Sequence, residues 1–251
     1  MTLPAPRAAE LLSTETWSRR PGPPEPGEPA DLRLTRTADL LSAAAELAPS
    51  VLSRDERDRA GEFRRAEDRN TYLVTHVALR MLLGGRLGAE PARVPLDRAP
   101  CLTCGGPHGR PVVRGNPVHF SLSHTGHLGL IALAAVPVGV DIEAVPAAGT
   151  VDGVATALHP KEAAELTVCQ EEERGAAFAR VWVRKEAYLK GLGIGLGRDP
   201  SLDYLGTAAH GAVQPHGWEI ADVVVADGHR AAVATRLSDA GEGPVIQNTY
   251  D

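Results

Sequence analysis

The chain has 251 residues, 43% of them apolar, with 26 basic against 32 acidic side chains and a formal charge of −6. That composition fits a soluble globular protein with ample material for a core and argues against general nucleic-acid binding. No run approaches eighteen apolar residues, no basic start precedes an apolar stretch, and the three cysteines fit a reducing compartment, so a cytoplasmic protein without a membrane span or secretory signal is expected.

Residues 1–30 contain a dense Pro/Gly/Glu stretch, Arg20–Pro29, and read as a flexible arm outside the packed structure. Leu32 and Leu34 alternate with polar residues as in a first strand. Thr37–Leu47 reads as a short helix that ends near Pro49. Ser53 and Glu56 have capping-box spacing and open two helical stretches, about 54–64 and 67–83, with Leu73, Val77, Arg80 and Met81 on one face of the second. The first is rich in arginine (Arg54, Arg57, Arg59, Arg64, Arg65), a pattern that by itself describes a solvated helix face. Gly84–Pro91 reads as a turn. Cys101 and Cys104, followed by Gly105, Gly106 and His108, have half of a zinc-site pattern. The other half is missing, so a glycine-rich loop with reduced thiols is expected.

His119–Ser123 and Leu128–Ala134 predict a hairpin around Thr125-Gly126. Pro137 marks the passage to a second half. Ala144–Asp152 reads as loop, a helix starts at Pro160, and the acidic Gln170–Arg174 reads as solvated surface. Gly191, Gly193, Gly195 and Gly197 follow Lys190 in alternation. They lack the spacing of a P-loop and predict a helix stop at Gly191 with a flexible loop after it. Trp218–Val225 and Arg230–Thr235 predict a closing hairpin around Asp227-Gly228, and residues 237–251 a frayed tail.

Two stretches stand apart. In Val181–Lys190 (VWVRKEAYLK), helical spacing puts Phe178, Val181, Trp182, Leu189 and Leu192 on one stripe with Lys185 near its middle. An ammonium there must snorkel out or meet an anion. Glu186 and Lys190 are four apart on one side, which could be an ordinary surface pair. In Gly139–Glu143 (GVDIE), Asp141 and Glu143 share a strand face about 7 Å apart, and at an effective dielectric near 20 their repulsion is about 2 kcal/mol. Packed beside the helix, they would call for a cation. Mg²⁺ suits such a site, since it takes hard oxygen ligands and completes its shell with substrate phosphates. Glu186 could supply the third carboxylate.

These two stretches, preceded by Gly109-Arg110-Pro111 and by Phe120–Gly126 (FSLSHTG), resemble the 4′-phosphopantetheinyl transferases of the larger, Sfp type. The four pieces occur in the family's order and span about Arg54 to Leu205. The resemblance implies an α/β fold of two similar halves in a pseudo-two-fold arrangement, here 31–136 and 137–236, although no internal repeat is visible in the sequence. It implies transfer of the 4′-phosphopantetheine arm of coenzyme A to a serine of an apo acyl or peptidyl carrier protein, with Mg²⁺ as cofactor and 3′,5′-ADP as the second product. A monomer is expected, with no nucleic-acid or membrane partner.

Carried over residue by residue, the resemblance implies Asp141, Glu143 and Glu186 as metal ligands and Glu186, Lys190 and Asp141 as catalytic residues. It implies coenzyme A contacts from Arg59 and Arg57, upstream of Phe63, and from Arg110 and Pro111. Arg110 stands where the family has lysine, which keeps the charge and changes the donor geometry. Ser123, His124, Lys185 and Lys190 complete the set. Two other classes remain open on the residues alone: a non-catalytic module that binds coenzyme A or a carrier protein, and a different Mg²⁺ phosphotransferase or hydrolase.

Overall fold

The computed structural model describes residues 4–17, 22–102, 104–107, 109–115, 117–194, 197–209 and 211–237. In chain order, the first strands are β1 (Arg7–Ala8), β2 (Glu10–Leu11) and β3 (Asp31–Arg36). Three helices follow: α1 (Thr37–Val51), α2 (Arg54–Gly61) and α3 (Ala66–Leu87). A small ribbon, β4 (Leu96–Arg98) with β5 (Pro111–Val113), leads to the hairpin β6 (His119–Thr125) and β7 (Leu128–Ala134). Beyond it lie β8 (Val138–Ala144), α4 (Ala148–Val154), α5 (Pro160–Val168), α6 (Glu171–Leu192) and a second hairpin, β9 (Trp218–Val224) and β10 (His229–Arg236).

The two sheets repeat one topology. In one, β7 inserts between β3 and β6; in the other, β10 inserts between β8 and β9. Each half is therefore a strand, a run of helices ending in a long one, and a hairpin whose second strand returns beside the first. The long helices α3 and α6 have 22 residues each, and each ends on a left-handed glycine, Gly88 at φ 60° and Gly193 at φ 81°. That is the αL termination that glycine permits without steric cost. One apolar core fills the first half, and a second lies between the sheets around Leu130, Ile142 and Val233.

The N-terminal segment is not a free arm. β1 runs parallel to β9, and β2 runs parallel to β3, so residues 7–11 add an edge strand to each sheet in turn. Arg7 pairs with Glu219 at 3.6 Å and Glu10 with Arg33 at 2.6 Å. Leu12 and Trp17 are buried in the first core. Two-residue strands carry too little alternation to be read from composition, which is why this stretch reads as unpacked. Residues 18–21 and the tail beyond Leu237 lie outside the described residues.

Three helix ends and one loop differ from expectation. α1 continues past Pro49 to Val51, because a proline in the last turn forfeits only one helical hydrogen bond. α3 continues through Gly84, where a Cβ would come within 2.8 Å of the Ala89 carbonyl oxygen; the glycine serves close packing there and not a stop. α6 continues through Gly191, where a Cβ would meet the Trp218 ring at 2.6 Å. It also begins at Glu171, so the acidic stretch is its first turn, where negative charge faces the positive helix end. The expected loop 144–152 contains most of α4.

Candidate active site

The site is built where α6 lies on β8. A Cβ on Gly139 would stand 2.0 Å from the Ala187 carbonyl oxygen and 2.3 Å from the Gly191 nitrogen. Only glycine lets the helix backbone come this close, and that approach brings the last turns of α6 over the carboxylates of β8. Lys190 Nζ donates to Asp141 Oδ1 at 2.6 Å. Asp141 is buried, and Ser123 Oγ donates to the same oxygen at 2.7 Å. Its other oxygen, Oδ2, is buried without a hydrogen-bond partner.

Glu143 and Glu186 are near enough to Asp141 and Lys190 to feel their charges. Burial, then the charge of Asp141, pushes the Glu143 carboxyl up to about 7, with Glu186 adding to the rise and Lys190 and the Thr125 hydroxyl opposing it. Burial, then Asp141, also raises Glu186, against Lys190. With all three ionised, the cluster has an excess of two negative charges over Lys190, and Asp141 Oδ2 has no donor. Hard oxygens, excess negative charge and an unsatisfied buried oxygen suit a divalent cation such as Mg²⁺. Among the described residues, no three His, Cys, Asp or Glu side chains stand close enough together to hold one ion as placed. Glu143 and Glu186, both only partly buried, would have to swing in toward Asp141.

Beside this cluster opens a cavity of about 630 Å³, with Arg110, Pro111, Phe120, Leu122, Lys190 and Ile194 among its walls. Arg110 Nη1 donates to the Gly191 carbonyl oxygen at 3.0 Å, and its side chain lies against Gly193. It thus ties the first half to the end of α6 while facing the cavity. Cys101 and Cys104 also line this space; His108 lies outside the described residues. β6 is stitched to β8 by its alternating serines: Ser121 Oγ accepts from the Val140 amide at 3.1 Å and Ser123 Oγ reaches Asp141.

His124, next along β6, meets the edge of Tyr72 at 6.3 Å between ring centroids. Burial, then the charges of His76 and Lys190, holds its imidazole below the ordinary histidine value. A row of rings leads away from it: Tyr72 is 5.2 Å from Phe63, and the Arg59 guanidinium lies over Phe63 at 5.5 Å. Arg59 is exposed and paired with Glu62.

Three residues expected at the ligand have their polar groups engaged by other protein groups in this structure. Lys185 is buried away from the cavity; its Nζ meets Glu162 Oε2 at 2.7 Å and donates to the carbonyl oxygens of Pro200 and Asp203. Arg57 donates to the carbonyl oxygens of Leu52 and Pro49 at the end of α1. The Ser123 hydroxyl is used by Asp141. Arg80 of α3 is buried against Glu56 at 2.7 Å. Conversely, Tyr72 and His76 stand beside His124 without having been expected there. Their four-residue spacing on α3, continued by Arg80, is the signal that could have found them.

The model of the 4′-phosphopantetheinyl transferase superfamily matches residues 137–234, the half that holds Asp141, Glu143, Glu186 and Lys190. The chain is 30% identical over 240 residues to the 4′-phosphopantetheinyl transferase HetI of Nostoc sp., covering 92% of each protein. It is 26% identical over 149 residues to the 4′-phosphopantetheinyl transferase Sfp of Bacillus subtilis, 59% of this chain and 62% of that one. It is 31% identical over 153 residues to the 4′-phosphopantetheinyl transferase psf-1 of Bacillus pumilus, 60% of this chain and 61% of that one. The chain belongs to the 4′-phosphopantetheinyl transferase superfamily, whose members modify carrier proteins with coenzyme A.

Proposed function

We propose that this chain moves the 4′-phosphopantetheine arm of coenzyme A to a serine of apo acyl or peptidyl carrier proteins, with Asp141, Glu143 and Glu186 holding one Mg²⁺. The observation that carries the reading is the approach of α6 to β8: it sets Lys190 against Asp141 Oδ1 and leaves Oδ2 buried and unsatisfied. A bound Mg²⁺ supplies neutralisation of the pyrophosphate oxygens and polarisation of the phosphorus under attack.

The chain's own residues do the rest. Arg110 and Lys190, which share the cavity, neutralise phosphate oxygens, and the His124 imidazole, held below its ordinary value by burial, contributes a hydrogen bond to one of them. Glu186 takes the proton of the carrier serine, directly or through a water; burial and Asp141 raise its carboxyl in the metal-free site, and a bound cation would lower it, which favours the path through water. The serine oxygen bonds to the phosphorus that bears the pantetheine arm. The bond from that phosphorus to the bridging oxygen breaks, and 3′,5′-ADP leaves with the electron pair, its charge met by Lys190. The acidic composition argues against nucleic-acid binding, no helix among the described residues is long and apolar enough to cross a membrane, and a monomer acting in the cytoplasm is the state we propose.

The test is mass spectrometry of a panel of apo carrier proteins incubated with coenzyme A and Mg²⁺. A gain of one phosphopantetheine on the carrier serine is expected. Coenzyme A bound tightly, with every carrier left unmodified, would favour the non-catalytic binding module instead.

A further inference from the structure

The repeated topology puts equivalent ion pairs in the two halves. Arg80 is the fifteenth residue of α3 and Lys185 the fifteenth residue of α6. Each meets the glutamate that closes a capping box on the preceding short helix: Glu56 with Ser53, and Glu162 with His159. In the second half, the spare capacity of Glu162 goes into the backbone, accepting from the amides of Leu205 at 2.7 Å and Gly206 at 3.1 Å. In the first half, Glu56 faces a side chain instead. His76 Nδ1 lies 3.8 Å from Glu56 Oε1, on the helical face where α6 has the apolar Val181.

His76 continues toward the site. Its ring stacks on Tyr72 with centroids 3.9 Å apart and planes at 25°, and Tyr72 presents its face or edge to His124 at 88°. Glu56 is itself held fast, since Arg80 Nε donates to both of its oxygens, at 3.0 and 2.7 Å, and the Ser53 amide donates at 2.7 Å. A rigid anchor, an imidazole 3.8 Å from it and a buried aromatic ring thus stand in line behind His124. This is where the two halves diverge, and the row ends at the strand β6 that also carries Phe120 and Leu122 of the cavity wall.

We propose that His76 is a positioning residue for coenzyme A: anchored by Glu56, it fixes the Tyr72 ring and through it the orientation of His124. The inference rests on the reading of His124 as a phosphate contact. Stacked rings and satisfied polar networks hold one orientation better than isolated side chains do, and small misplacements of a contacting group are costly.

The experiment is a double-substitution cycle read as KM for coenzyme A and kcat in Mg²⁺, with Tm followed by circular dichroism. H76F keeps a stacking ring and loses the polar contact with Glu56; H76Q keeps a donor for Glu56 and loses the ring. Each is expected to raise KM about tenfold with kcat within about twofold, and H76F should add less than about twofold in an H124A background, as for groups acting through one contact. An unchanged KM in both single variants, or effects of His76 and His124 that multiply in full, would overturn the proposal while wild-type transfer and an impaired H124A leave the reading of His124 intact. If H124A itself binds coenzyme A normally, the reading of His124 fails and the positioning role fails with it.

Discussion

Gly139 and Gly191 touch where β8 meets α6, and a Cβ on the first would stand 2.3 Å from the nitrogen of the second. This contact sets the height of Lys190 and Glu186 above Asp141. Gly139→Ala is therefore expected to push the helix outward, costing about 1–3 kcal/mol of stability as overpacking does. The loss of transfer rate should exceed what that destabilisation explains, because the misplaced groups are the ones that do the chemistry. Tm and kcat measured on the same preparation check this. Wild-type kcat in a destabilised variant would show that the close approach serves packing alone.

Lys185 sits one residue before Glu186, yet it belongs to a different part of the structure. It binds Glu162 and two carbonyl oxygens of the segment that follows α6. Lys185→Met leaves Glu162 buried without its cation, for which about 3–5 kcal/mol is the expected cost. KM for coenzyme A in the protein that remains folded should stay within about twofold, since no ligand contact is lost. A large rise in KM with little change in urea midpoint would return Lys185 to the phosphate-binding set.

These two cases mark what is readable in the chain. That Asp141 and Glu143 share a face follows from strand alternation, and that Lys190 accompanies Glu186 follows from helical spacing. Both are local regularities. The wheel also tells that Lys185 is buried, but not which anion it meets; Glu162 belongs to another helix. The exposed arginines of α2 look alike in sequence. Only the folded structure shows that Arg57 reaches back to the carbonyl oxygens at the end of α1 while Arg59 lies over Phe63. The repeat of the two halves was hidden because it is kept in topology and in the capping-box glutamates, which few residues carry. The two short N-terminal strands were hidden because hydrogen bonding to a distant edge leaves almost no trace in two residues.

Glu56 gives the molecule a pH dependence with a definite sign. Burial alone would raise its carboxyl, but the bonds from His76 and Ser53 and the charge of Arg80 hold it at about 2, below its ordinary 4.5. A carboxyl depressed in the folded state adds stability that is complete above its ordinary value and is lost as the pH falls from 4.5 toward 2. The loss should reach roughly 3 kcal/mol. Glu56→Gln is expected to be less stable at neutral pH and to show a shallower fall in this acid range. Urea unfolding at a series of pH values checks both, and an unchanged slope would remove Glu56 as its source.

Glu186 is raised by burial and by the Asp141 charge, with Lys190 opposing. As a general base it works only when ionised, so kcat should climb with pH as its carboxyl loses its proton and then level off, with the rise moved to lower pH by a bound cation. Glu186→Gln keeps the shape of the side chain and removes its capacity to take the serine proton. A fall in kcat of about 10²–10⁴-fold is expected, with coenzyme A still bound in a calorimetric titration through Arg110, His124 and Lys190. The acid limb of the pH–rate profile should vanish from whatever activity remains. Metal binding and proton transfer draw on the same carboxylate, so the titration must be run with and without Mg²⁺: a variant that binds coenzyme A equally well in both, where the wild type does not, has lost a ligand as well as a base. Wild-type turnover by this variant would take both roles away from Glu186 and leave Asp141 and Glu143 to hold the ion with water.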